Sequence, residues 1–135
     1  MANANMKKLR YILTISLTLK LLLSASLANA VDSKAFIKFD SIDLTKGRTI
    51  WLDSCKGCHA YGTAGAPIPM NPDEWSSRVT KSKSTLYDHA INGFFGEDDT
   101  MMPERGGNPD LSDQQVKLAV DYMVSLATFY INQKN

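Results

Sequence analysis

Cysteine and histidine are scarce in this chain. Its 135 residues hold two of each: Cys55 and Cys58, His59 and His89. A single cysteine pair excludes a disulfide framework, and a zinc site would need more sulfur or histidine than His89 alone can add. No apolar–polar alternation of period two marks a strand, and no internal repeat or low-complexity tract occurs. A long uninterrupted hydrophobic run is also missing. The most apolar stretch, Tyr11 to Leu27, is broken by Lys20 and is too short for a confident membrane span. The length allows one domain.

The N-terminus has the pattern of a secretory signal. Lys7, Lys8 and Arg10 form a positive start, Tyr11 to Leu27 the apolar core, and Ala28-Asn29-Ala30 a small-x-small cleavage site. The expectation is a signal peptide over residues 1–30 and a single domain over 31–135. Lys20 weakens the apolar core, so an uncleaved anchor is the alternative. Met6-Lys7-Lys8 would itself make an ordinary signal start. Removing residues 1–30 takes away Lys7, Lys8, Arg10 and Lys20 and no acid. Of 15 basic side chains 11 then remain, against 14 acidic ones, a net charge of −3. Nucleic-acid binding wants a basic face and is not expected.

The chemistry sits in Cys55-Lys56-Gly57-Cys58-His59. Cys-x-x-Cys-His is the pattern of a c-type haem attachment site. Two thiols three positions apart lie on one side of a helical turn, and each can add to a vinyl group of one haem. The adjacent imidazole then faces the iron as proximal ligand. A redox dithiol of the thioredoxin type would come after a strand, whereas the residues before Cys55 read as helix. Such haems are generally attached outside the cytoplasmic membrane, so the secretory address and the motif agree. Haem burial would contribute much apolar area at about 25 cal/mol per Å², and the chain without it is expected to be unstable.

Four helices are expected. The first runs from about Leu44 to His59 with Asp43 as N-cap and with Gly47 and Trp51 on one face. The second comes after the loop Ala60 to Asn71 and ends near Val79 or Thr80. Asn71 is its N-cap, Pro72 its first position, Glu74 a capping-box residue, and Met70 with Trp75 a hydrophobic staple. The third spans about Ser84 to Asn92 and stops at Gly93. The last is capped by Ser112 and Gln115, with Leu111 and Val116 as staple. It carries a stripe of Val116, Ala119, Val120, Met123, Val124 and Ala127 to about Tyr130. Between the third and the last lies a loop from Phe94 to Asp110, long enough to suggest a function.

The second axial ligand of the iron has five candidates: Met70, His89, Met101, Met102 and Met123. Met123 belongs to the apolar stripe, Met70 to a helix start, and His89 to a polar stretch where a solvated ring is expected. The long loop can lay Met101 or Met102 over a flat cofactor. Met102 is favoured because Pro103 biases it to an extended conformation.

Taken together, the chain resembles the class I c-type cytochromes, and most closely the small monohaem bacterial group that includes cytochrome c-five. Three parts carry the resemblance in order. They are Gly47 and Trp51 leading into the haem motif; Ala66-Pro67 followed by Asn71-Pro72-Asp73-Glu74-Trp75 and Arg78; and Met102-Pro103-Glu104-Arg105-Gly106-Gly107, then Leu111-Ser112-Asp113 opening a helix with Ala119 to Met123. The resemblance implies an all-α fold of about four helices wrapped around one covalently attached haem c with its iron. Cys55 and Cys58 would hold the haem, with His59 proximal and Met102 distal. Pro67 would accept a hydrogen bond from the proximal imidazole through its carbonyl, and Trp75 and Arg78 would line the haem edge. Gly47 and Trp51 match the crossing of the first helix on the last, against Ala119 and Tyr122. Arg105 would either pair with a propionate or be solvated. Members of the group can carry an extra cysteine pair, which is missing here, and the acids Glu97, Asp98 and Asp99 precede Met102.

The expected function is that of a monomeric periplasmic one-electron carrier in a respiratory chain, not an enzyme. It would meet a donor complex and a terminal oxidase or reductase transiently, with association at a membrane surface left open. The alternatives are a haem subunit of a periplasmic dehydrogenase, or a haem enzyme or sensor with a displaceable sixth ligand.

Overall fold

The structure is a computed structural model and describes residues 36–97 and 99–134. The expected signal peptide and its expected cleavage site lie outside the described residues. The chain divides into a unit ending at Ile37 and a unit from Lys38 onward, and the second carries all the helices and strands of the described residues. Among the described residues no helix is long and apolar enough to cross a membrane.

Among the described residues five α-helices form the frame: α1 (Ile42–Ile50), α2 (Lys56–His59), α3 (Pro72–Trp75), α4 (Lys83–Asn92) and α5 (Asp113–Lys134). The cap of α1 differs from expectation. Ser41 stands at the N-cap and its Oγ accepts from the Leu44 N–H at 3.4 Å, while Asp43 lies in the first turn and faces the helix dipole instead. Nor does a single α-helix run on to His59. Trp51–Cys55 forms a π-helical turn, with the Lys56 N–H donating to the Trp51 carbonyl. The extra residue in that turn rotates α2 by about 100° relative to α1. Trp51 can therefore pack on α5 while Cys55 and His59 line a cavity.

The last helix, α5, opens on a complete capping box. Ser112 Oγ accepts from the Gln115 N–H at 3.3 Å, and Gln115 Oε1 accepts from the Ser112 N–H at 2.9 Å. The helix runs four residues past Tyr130, to Lys134, whose ammonium pairs with Asp73 of α3. Its stripe Val116, Ala119, Val120, Met123 and Ala127 is buried, as are Tyr122 and Leu126. The helix α1 crosses it at Gly47. A Cβ there would overlap the Leu118 carbonyl and come within 3.2 Å of Tyr122 Cβ, so the two backbones touch where only a glycine fits. The Trp51 and Tyr122 rings pack beside the crossing with centroids 5.6 Å apart, and both are fully buried.

The third expected helix begins at Lys83 with Ser82 as cap, its Oγ accepting from the Thr85 N–H at 3.1 Å. Lys83 and the Tyr87 hydroxyl both reach Asp121 at 2.7 Å, which ties α4 to α5. Gly93 ends α4 at φ 84°. A Cβ at that position would lie 3.1 Å from the Met102 carbonyl oxygen and from the Glu104 N, so glycine also admits the returning chain. That chain is not a plain loop. Phe94–Phe95 (β1) and Met101–Met102 (β2) form a two-stranded antiparallel hairpin, with Phe94 opposite Met102 and Phe95 opposite Met101. Two residues per strand are too few for any alternating pattern to show in the sequence.

Candidate haem site

A small cavity, open at its mouth, lies between the haem motif, the hairpin and α5. It is lined by Cys55, His59, Met102, Arg105 and Gly106 and floored by Ala90, Leu111, Val116, Ala119, Val120 and Met123. Its lining is almost wholly apolar on the α5 side, which suits a flat hydrophobic ring system. Cys58 is exposed and Cys55 half-buried. Burial first, and the neighbouring Cys58 second, push the free Cys55 thiol up to about 11, so in this fold it stays protonated.

His59 is buried in the core, only 7% exposed. Its Nδ1–H donates to the Pro67 carbonyl oxygen at 2.9 Å. A carbonyl can only accept, so the proton sits on Nδ1 and the Nε2 lone pair is left for a metal. Burial lowers the His59 pKa, the hydrogen bond to Pro67 raises it, and the charge of Arg78 lowers it again. The balance favours the neutral imidazole that a metal requires.

The Pro67 loop is braced by Glu74, whose part in the site does not show in the sequence. The pattern there predicts that Glu74 closes a capping box. Instead its Oε2 accepts from the Ile68 N–H at 2.6 Å and its Oε1 from Asn71 Nδ2 at 2.7 Å. The cap of α3 is made by Asn71 alone, Oδ1 accepting from the Asp73 N–H at 3.2 Å. The S/T/N-x-x-E pattern signals that Glu74 folds back, but not that it passes the cap and reaches the residue after Pro67. Glu74→Ala removes a carboxylate from two donors, a loss of about 1.5–3 kcal/mol per charged hydrogen bond at most. Its expected result is a lowered Tm together with a shift of the Nδ1 proton resonance of His59 in the NMR spectrum.

Arg78 donates to the Glu74 carbonyl oxygen and is near enough to His59 for its charge to be felt. Trp75 is buried, and its indole N–H has no partner among the described residues. An orphaned buried donor costs about 1–3 kcal/mol, and a haem propionate would relieve it. Arg105 lines the cavity, and part of its guanidinium is already engaged: it donates to the Leu111 carbonyl oxygen at 2.8 Å and pairs with Asp113 at 2.7 Å.

The two loop methionines part company in the hairpin. Successive strand residues point to opposite faces, and Met102 lines the cavity while Met101 is 52% exposed. Behind Met102 the chain turns through three left-handed residues, Arg105, Gly106 and Gly107, and Asn108 Nδ2 donates to Ser54 Oγ at 3.2 Å. The hairpin is thereby anchored to the π turn that carries Cys55. Met70 is half-buried and does not line the cavity; Met123 does, from the stripe on α5. His89 lies outside the cavity, as expected of a residue that is not a ligand; its half-buried ring stacks on Phe94, centroids 4.0 Å apart.

A family model described as cytochrome C oxidase, cbb3-type, subunit III matches residues 43–123. The chain is 40% identical over 89 residues to cytochrome c-555 of Prosthecochloris aestuarii, covering 64% of this chain and 90% of that protein. It is 38% identical over 104 residues to cytochrome c-555 of Chlorobaculum tepidum, covering 75% and 92%. Cytochrome c-551 of Halorhodospira halochloris is 35% identical over 72 residues, 53% and 81%. This chain belongs to the class I c-type cytochromes. Membership in this family of electron carriers brings one covalently bound haem c with its iron. The cytochrome has the all-α fold expected of it, with the short hairpin added. Its apolar cavity, its neutral imidazole and its orphaned indole N–H fit that group.

Proposed function

We propose that this cytochrome is a periplasmic one-electron carrier, not an enzyme, with His59 and Met102 as the two axial ligands of the iron. What supports the reading above all is the cavity that brings His59 and Met102 together across an apolar floor. Haem c supplies the one-electron iron couple when bound. Cys55 and Cys58 would hold it by thioethers, and His59 would present Nε2 to the iron from a ring steadied by Pro67. Met102 offers the thioether sulfur, a ligand that raises the potential. Trp75 and Arg78 would line the haem edge, where the buried Trp75 indole N–H would find its acceptor in a propionate. The apolar floor would disfavour water, and none of the described residues on it is an acid–base group to begin a catalytic step.

Electrons would pass at an exposed haem edge, whose apolar rim would include Ala64, Ala66, Ile68 and Phe94 or Phe95. Weak electron-transfer complexes are small, and a monomer meeting a respiratory donor complex and then a terminal oxidase or reductase fits such a rim. Delivery across the inner membrane rests on the signal over residues 1–30. A second reading, a dedicated subunit of a larger enzyme, draws on the matched family description, which names an oxidase subunit. Co-purification with an oxidase or dehydrogenase core separates the two.

The test is the visible spectrum of the reduced holoprotein with and without carbon monoxide. The expected result is a sharp low-spin spectrum that carbon monoxide leaves unchanged, because both axial positions are filled. Ready carbon monoxide binding would overturn the carrier reading in favour of an enzyme or sensor with a displaceable ligand.

A further inference from the structure

His89 lies three residues before the end of α4, and its ring stacks on Phe94 with centroids 4.0 Å apart and planes within 16°. Phe94 is the β1 residue directly opposite Met102. Residues opposite one another in an antiparallel pair share a face and touch through their side chains. The α4 end of the stack is itself fixed: Ala90, next to His89, is buried with Val116 and Val120, and Met102 packs against the same cluster. Gly93 between the two rings brings the β1 backbone against the Met102 carbonyl. The stack therefore clamps the strand facing Met102 to a helix that cannot move without opening the core.

We propose that His89 is a positioning residue for the distal ligand, acting through Phe94 to hold the Met102 strand over the cavity. The role is a packing one, carried by a flat ring on a flat ring. It rests on Met102 being the sixth ligand, as the proposed function has it. When Met102 swings off, the hairpin must loosen, so the clamp shows in how readily an outside ligand takes the sulfur's place. An aromatic stack contributes enough to change such an equilibrium roughly two- to tenfold.

The experiment titrates the ferric holoprotein with imidazole and follows the thioether-to-iron absorption band in four proteins besides the wild type: His89→Ala, His89→Phe, Leu86→Ala and Met102→Ala. His89→Ala is expected to bind imidazole about two- to tenfold more tightly, and His89→Phe, which keeps a flat ring, to match the wild type. Leu86→Ala opens the same core from the same helix and is expected to lower the denaturation midpoint with a clearly smaller gain in imidazole affinity than His89→Ala. Equal affinity in His89→Ala and the wild type overturns the proposal, and so does an equal gain in Leu86→Ala, which would mark a general loosening. The Met102→Ala arm keeps the two readings apart. If it retains the band and the wild-type affinity, the ligand assignment fails; if it loses the band while His89→Ala titrates like the wild type, only the clamp fails.

Discussion

Met102→Ala is expected to remove the thioether-to-iron band and to lower the midpoint potential by on the order of 0.1 V, within the roughly 0.8 V that axial ligation commands. The thioether stabilises the reduced iron, and alanine leaves the position to water or to an outside ligand. Met101→Ala is the control. Met101 neighbours Met102 in sequence but is 52% exposed on the other face of β2. Its loss should leave the band in place and move the potential little. Redox titration of both variants checks the prediction, and a band kept in Met102→Ala but lost in Met101→Ala would reverse the assignment.

Gly47→Ala should destabilise the protein although alanine is the better helix former. The propensity gain is about 1 kcal/mol. Against it stands overpacking, which costs about 1–3 kcal/mol or more. The new methyl meets the Leu118 carbonyl, and a backbone atom cannot turn aside as a side chain can. The upper end of that range therefore applies, for a net loss of roughly 1–2 kcal/mol. With about 4–8 °C per kcal/mol in a domain of this size, the expected fall in Tm is roughly 4–16 °C. Gly57→Ala tests the sign. Gly57 is also helical, and a Cβ there meets nothing within 4 Å. That variant should hold its Tm or gain about 0.5–1 kcal/mol. Thermal melts of the two holoproteins decide the matter, and a Gly47→Ala melt at or above the wild type would mean that the helix crossing is looser than its interatomic distances imply.

Much of the frame is legible in the sequence because its signals are local. The Ser112–Gln115 box, the Gly93 stop and the α5 stripe each rest on residues within a few positions of one another, and each appears where expected. Where local signals compete, the sequence is ambiguous. Ser41 and Asp43 are both good caps, and the chain uses Ser41, leaving Asp43 to the dipole. His89 among polar neighbours reads as solvated, because its partner Phe94 comes beyond a glycine that reverses the chain.

The chemistry of this cytochrome is written in its residue order: the haem motif, the helices and their caps, and the set of sulfur and nitrogen ligands on offer. These depend on spacing along the chain and on the intrinsic preferences of single residues. Which of those groups meet is a matter of packing. The π turn at Trp51–Cys55 and the reach of Glu74 to Ile68 are visible only in the folded molecule, and there Met102, which Pro103 already favours in the sequence, lines the cavity while Met101 does not. A helix cannot announce from its own residues that it must widen one turn to serve both α5 and a cavity. A two-residue strand cannot announce which way it faces until the opposite strand and the core beneath it are in place.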